Sequence, residues 1–153
     1  MKSKKVKSLI TIGRVDSVDL PELDLTNIEC KIDTGADTSS IHCHRIQLIE
    51  KNGVEYLTFK LLDPKHPDYQ KKNFKITNFK ERKIRSSNGQ TEFRYVIKTQ
   101  VIIFDKVYLT EFTLTNRGKM KYPILLGRKL LNKNFVVDVS KVNLSFENKQ
   151  KLK

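Results

Sequence analysis

Over most of its length the chain repeats one pattern: apolar residues recur at every second position, in runs of five to ten broken by turn residues. A period of two belongs to strands, whose successive side chains point to opposite faces, and a helix cannot use it. "SLITIGRVDSVDL" alternates up to Pro21, and "NIECKID" sets Ile28, Cys30 and Ile32 on one face. "GVEYLTFKLL" follows the turn pair Asn52-Gly53, and "TEFRYVIKTQVII" alternates through Phe93, Tyr95 and Ile97, then Val101 and Ile103. "KVYLTEFTLTN" alternates again. "SIHCHRIQLIE" fits a strand or a helix, and residues 63–73, with two prolines, predict a loop. Ser86-Ser87-Asn88-Gly89 between two extended arms predicts a hairpin. One short helix is expected after Gly127 in "GRKLLNKN", stopping near Asn134, and "FVVDV" with "VNLSFE" predicts a closing hairpin. Many short strands with one helix imply an all-β sheet that folds over or closes on itself.

The 153 residues suit one domain with its own core, 38% hydrophobic and 31% charged. The expected layout is a basic tail at 1–10, a domain at 11–147 and a basic tail at 148–153. No apolar run approaches the roughly 20 residues of a membrane span, and "SLITIG" is too short for a signal sequence. A cytoplasmic protein is therefore expected, with a trimmed upstream signal as the alternative. Thirty Lys and Arg against 17 Asp and Glu give a net charge of +13. Such a surface attracts an acidic protein partner or a polyanion. No zinc-finger, helix-turn-helix or aromatic RNA-binding signature accompanies it, so nucleic acid is not the expected partner. The two cysteines, Cys30 and Cys43, read as buried thiols rather than a disulfide.

Most of the chemistry is concentrated in "CKIDTGADTSSIHCH", from Cys30 to His44. Asp33 is delivered by a strand into a tight corner, where Thr34 offers a hydroxyl and Gly35 permits another backbone to approach. Alone, this is a turn cap. Two such carboxylates brought together share one proton; one then activates water while the other polarises a carbonyl. His42, Cys43 and His44 raise a metal-site alternative. On a strand, however, His42 and His44 share a face and Cys43 points away, and neither Cys30 nor His66 completes a recognised zinc spacing. No Gly-rich phosphate loop is present for ATP. No metal and no other cofactor is expected.

The string Asp33-Thr34-Gly35-Ala36-Asp37-Thr38-Ser39 resembles the active-site loop of retropepsins, the retroviral-type aspartic proteases. Ile124-Leu125-Leu126-Gly127-Arg128 resembles that family's segment leading into its helix, and the Ser86–Gly89 hairpin falls where the family places its flap. Together with "TIGRVDSVDLPEL", "RSSNGQTEFRYVIKTQV" and "FVVDVS", these motifs resemble bacterial retropepsin-like proteins often labelled "ATP-dependent zinc protease", some associated with ATP-grasp glutamate ligases. The resemblance implies a closed, single-lobe β-barrel with a flap and one short C-terminal helix. It implies that Asp33, Thr34 and Gly35 form the catalytic corner, with Thr34 bonding the loop of a second copy. Ala36, Asp37 and Ile124 would line the substrate pocket, and Ser87, Asn88 and Gly89 would cover it from the flap. Thr38, Gly127 and Arg128 would support the loop, with Arg128 paired to Asp37. Because the chain holds one such Asp-Thr-Gly, the implied peptidase works as a homodimer on a peptide or protein substrate. The lysine-rich ends oppose each other, so an interface away from them, or a weak one, is expected. The alternatives are a non-catalytic peptide- or protein-binding module on the same fold, and a zinc-dependent hydrolase.

Overall fold

The computed structural model describes residues 8–85, 88–116 and 121–152. Ser87, expected at the flap tip, lies outside the described residues, as does Ser86. The strands are β1 (Ile10–Ile12), β2 (Val15–Leu20), β3 (Leu25–Ile32), β4 (Ser39–Lys51), β5 (Val54–Leu61), β6 (Phe74–Ile76), β7 (Lys80–Arg85), β8 (Thr91–Ile103), β9 (Lys106–Thr115), β10 (Ile124–Leu126) and β11 (Phe135–Val137). Two helices, α1 (Arg128–Leu131) and α2 (Leu144–Lys151), and a 3-10 turn at Pro21–Leu23 complete the described elements. "SIHCHRIQLIE" is strand, within β4. Residues 63–73 form the expected loop.

Nine strands form one sheet along the path β10-β3-β2-β8-β9-β4-β5-β6, with β7 attached to β8. Because β10 also pairs with β4, the path from β10 to β4 returns on itself as a ring. The inward faces supply the core: Val18 and Leu20 from β2, Ile28 and Cys30 from β3, Ile41 and Cys43 from β4, Phe112 from β9, Ile124 and Leu126 from β10. Each fully buried Phe or Leu contributes about 1.5–3 kcal/mol of transfer free energy, and these residues come from strands far apart in the chain. Both cysteines are free and buried, as the sequence predicts. β7 and β8 form the expected hairpin, with Arg85 opposite Thr91. No helix among the described residues is long and apolar enough to cross a membrane.

The C-terminus departs from expectation. β11 does not open a closing hairpin with "VNLSFE"; it pairs in parallel with β1, Phe135 opposite Ile10. Leu144–Lys151 is helical instead, so α2 also takes in most of the stretch expected as a basic tail. The cause lies outside the segment. Asp16 sits at an inward position of β2, only 1% exposed, and its carboxylate accepts the Ser145 and Phe146 N–H groups at 2.9 and 3.1 Å. A side chain from another strand thus satisfies helix donors that the helix's own Asn143 does not cap. Ser145 Oγ accepts the Phe104 N–H, and Lys149 binds Asp19 and Asn27. These long-range bonds outweigh the period-two pattern of Val142, Leu144 and Phe146.

Candidate active site

β3 runs parallel to β10, with Ile32 opposite Leu126, and Asp33 is the first residue beyond that pairing. Its N–H donates to the Leu126 carbonyl at 2.9 Å, which extends the ladder by one step and fixes where the side chain emerges. Asp33 Oδ1 accepts the Gly35 N–H at 3.0 Å, and the Ala36 N–H donates to the Asp33 carbonyl at 3.3 Å. The corner is therefore held by its own backbone, with one carboxylate oxygen engaged in an Asx turn.

The start of α1 secures the rest of the loop. The Arg128 N–H donates to the Ala36 carbonyl at 2.8 Å and the Lys129 N–H to the Asp37 carbonyl at 2.9 Å. Gly127 N–H donates to Ser39 Oγ at 3.0 Å, and the Arg128 guanidinium reaches the Thr34 carbonyl at 2.9 Å. Helix donors that have no partner within the helix are thus used by the loop. Ser39, fully buried, went unassigned in the sequence, where one Ser of "DTSS" carries no signal of its own.

The role of Gly127 is spatial. Its φ of −101° is open to any residue, but a Cβ there would stand 2.8 Å from the Ala36 carbonyl oxygen and 3.0 Å from that of Asp37. Both neighbours are backbone and cannot turn aside. Gly127→Ala is expected to cost about 1–3 kcal/mol of stability by overpacking, read as a lower Tm. The Arg128–Asp37 pair exists but is loose: 4.0 Å, with the side chains 52% and 67% exposed. Asp37→Asn should therefore shift Tm by less than about 2 °C. The backbone bonds, more than this ion pair, fix the loop on the helix.

Asp33 and Ala36 open onto a cleft of about 510 Å³. Its other walls are Ser40, Leu125, the end of β9 at Leu114, Thr115 and Asn116, and the flap arm at Glu92, Phe93 and Arg94. Phe93 is 66% exposed, an apolar ring on a wall facing Asp33. Arg94 is ion-paired with Glu92. The residues expected to line the pocket are placed as follows in the single chain. Ile124 is fully buried in the core, and strand alternation hands its place to Leu125. Asp37 and Thr34 face a second groove, of about 540 Å³, with Arg128, Leu131, Phe135 and Val137. Asn88 and Gly89 form the hairpin turn, where Asn88 Oδ1 accepts the Gln90 N–H and Gly89 has a φ of +83°, and the cleft wall comes from the arm instead. Thr38, half-buried beneath the loop, contributes its backbone near Gly127.

The metal alternative can be tested on the same coordinates. Cys43 lies in the core, where burial pushes its thiol up to about 12. Cys30 is raised as well, by burial first and by the charge of Asp16 second. Both side chains are packed into the hydrophobic core, away from any opening where an ion could be held. His42 is buried, His44 stacks on Tyr69 at 5.7 Å, and among the described residues no three of His, Cys, Asp and Glu gather closely enough to hold an ion. These residues do not fit a zinc centre.

A ring of strands that delivers an Asp-Thr-Gly corner to a cleft walled by a hairpin arm defines a retropepsin-like protein. A family model described as "Retropepsin-like aspartic endopeptidase RimB" matches residues 11–147, and the chain belongs to this RimB-like family. It is 34% identical over 135 residues to a Shewanella pealeana protein named "Probable alpha-L-glutamate ligase", and 32% identical over 133 residues to one of the same name from Parasynechococcus marenigrum. Each match takes in 84% of this chain but 28% of the relative, so the chain spans under a third of their length. A solved structure of a Legionella pneumophila protein of unknown function has a TM-score of 0.72 and 30% identity, covering 90% of this chain and 99% of that one.

Proposed function

We propose that the chain is an aspartic endopeptidase whose site is completed by a second copy. The observation that carries this reading is Asp33, held by the Leu126, Gly35 and Ala36 backbones at the edge of a cleft large enough for several peptide residues. Two Asp33 carboxylates meeting across a two-fold axis cannot both ionise beside each other, so they retain one proton. The ionised carboxylate takes a proton from water as it attacks the peptide carbonyl. The protonated one donates to the carbonyl oxygen. As the tetrahedral intermediate collapses and the C–N bond breaks, the carboxylate that took the water proton gives it to the departing amine, and the other recovers its proton from the carbonyl oxygen. Such a pair gives a bell-shaped dependence of rate on pH. The role of Thr34 is to bond the partner's loop, for which it is suitably exposed.

Acidic peptides are the proposed substrates. Two observations support them: the net charge of +13, and relatives in which a domain like this one belongs to a protein named for glutamate ligation. The test is peptide release, read by mass spectrometry, from a Glu-rich peptide between pH 4 and 8, with chain concentration varied over about two decades and a chelator arm run in parallel. Cleavage whose rate per chain climbs with chain concentration, and which ignores chelator, is expected. A rate per chain independent of concentration, in a range where sedimentation shows the chain to be monomeric, would overturn the homodimer. Loss of cleavage with chelator would overturn the aspartic mechanism.

A further inference from the structure

Glu111 lies on β9, outside the cleft lining, yet its carboxylate is shared by cations from two other elements. Lys80 Nζ at 3.3 Å and the Arg82 guanidinium at 3.2 Å come from β7, the outer arm of the flap hairpin. Lys129 Nζ, at 3.3 Å, comes from α1. The Glu111 side chain is 17% exposed, so solvent screens these contacts less than it would at an open surface. α1 is the element whose first N–H groups hold the Ala36 and Asp37 carbonyls. One carboxylate therefore stands between the root of the flap and the helix that grips the Asp33 loop.

A second observation points the same way. In the β7–β8 register Arg82 is directly opposite Arg94, a like-charge pair that weakens a sheet unless each charge is neutralised. Glu92 neutralises Arg94 and Glu111 neutralises Arg82. β7 pairs with no strand but β8 among the described residues, so side-chain ties to β9 matter more for it than for a central strand.

We propose that Glu111 is a positioning residue: it locks the root of the flap hairpin to α1 and so fixes the flap relative to the loop that carries Asp33. Naming the hairpin a flap rests on the peptidase reading; the lock itself does not. If the carboxylate is removed, Lys80, Arg82 and Lys129 remain as three like charges converging on one point, and their repulsion separates the two elements. Removing one of those charges as well should relieve it.

Amide hydrogen exchange on the full chain tests this without needing activity. Glu111→Gln should raise exchange at 80–85, 91–96 and 33–39 roughly tenfold, while 15–32 stays at the wild-type rate. Adding Lys129→Met to Glu111→Gln should return at least half of that protection, and Glu111→Asp should fall between wild type and Gln. A uniform rise across the chain, a rise confined to β9, or a double variant no better than Glu111→Gln would overturn the lock. In parallel, Glu111→Gln should raise KM for a cleaved peptide about tenfold with kcat within about threefold, the split expected of misplaced binding walls. If wild type cleaves nothing, the peptidase reading fails and the exchange result still decides the lock. If wild type cleaves and exchange is unmoved by Glu111→Gln, only the lock fails.

Discussion

On the proposed mechanism, Asp33→Asn should lower peptide release by about a thousandfold or more, in keeping with the two to four decades that a positioned acid or base supplies. The size of the effect follows from symmetry. The proposed homodimer would draw both carboxylates from one position, so one substitution would remove the acid and the base together. Asn keeps the shape of the corner, and its side-chain oxygen can still accept the Gly35 N–H that Asp33 Oδ1 accepts now at 3.0 Å. Folding should therefore be untouched, with Tm within about 2 °C of wild type. Mixing gives a sharper version of the same test. When equal amounts of wild type and Asp33→Asn exchange subunits, only wild-type pairs hold a full dyad, so activity per wild-type chain should fall to about half by random pairing. Activity that stays proportional to wild-type chains would mean that one copy suffices, and the two-carboxylate mechanism would be lost.

Asp16→Ala should cost about 2–3 kcal/mol, or roughly 5–10 °C in Tm. Asp16 is nearly inaccessible and accepts three backbone N–H groups, from Ser17 at 2.8 Å, Ser145 at 2.9 Å and Phe146 at 3.1 Å. Truncation leaves those donors buried without an acceptor, and α2 loses its cap. Circular dichroism should show the loss of stability directly. The pH dependence has a definite sign. Burial raises the Asp16 carboxyl above its ordinary value, although the three N–H groups pull it back. A group whose pKa is higher folded than unfolded contributes stability that is fully present below the unfolded value, near 4, and is lost as pH rises through the folded value. Wild type should thus gain on Asp16→Asn as pH drops toward 4. A gap that widens on going to pH 8 would contradict this account of Asp16.

Much of this protein follows from local pattern. The alternations through Ile28, Cys30 and Ile32 and through Val101 and Ile103 mark strands with a buried face, because period two leaves no other way to bury those residues together. The turn chemistry of Asn52-Gly53 and Asn88-Gly89 sets where hairpins bend, since both glycines carry the positive φ that such turns need. The Asp-Thr-Gly corner and its Gly-Arg counterpart were legible through their resemblance to the retropepsin loop and helix segment, and the structure adds why Gly127 is needed, since a Cβ there would stand 2.8 Å from the Ala36 carbonyl oxygen. Burial of both cysteines also follows from residue type.

Other features were settled only when distant segments met. Whether "VNLSFE" became strand or helix depended on Asp16 in β2, about which the segment itself carries no information. Exchange of Ile124 for Leu125 at the cleft wall depended on which side of β10 faces the ring's interior, and a run of three apolar residues is silent on that. The joining of Lys80, Arg82 and Lys129 at Glu111 depended on three elements converging, while the sequence shows only scattered charges. The sequence alone determined the strands with clear alternation, the Asn-Gly turns and the position of the Asp33 corner, because each depends on torsional preference and short-range periodicity. Tertiary structure decided the second helix, the lining of the cleft and the charge cluster, because burial and electrostatics depend on what lies opposite in space.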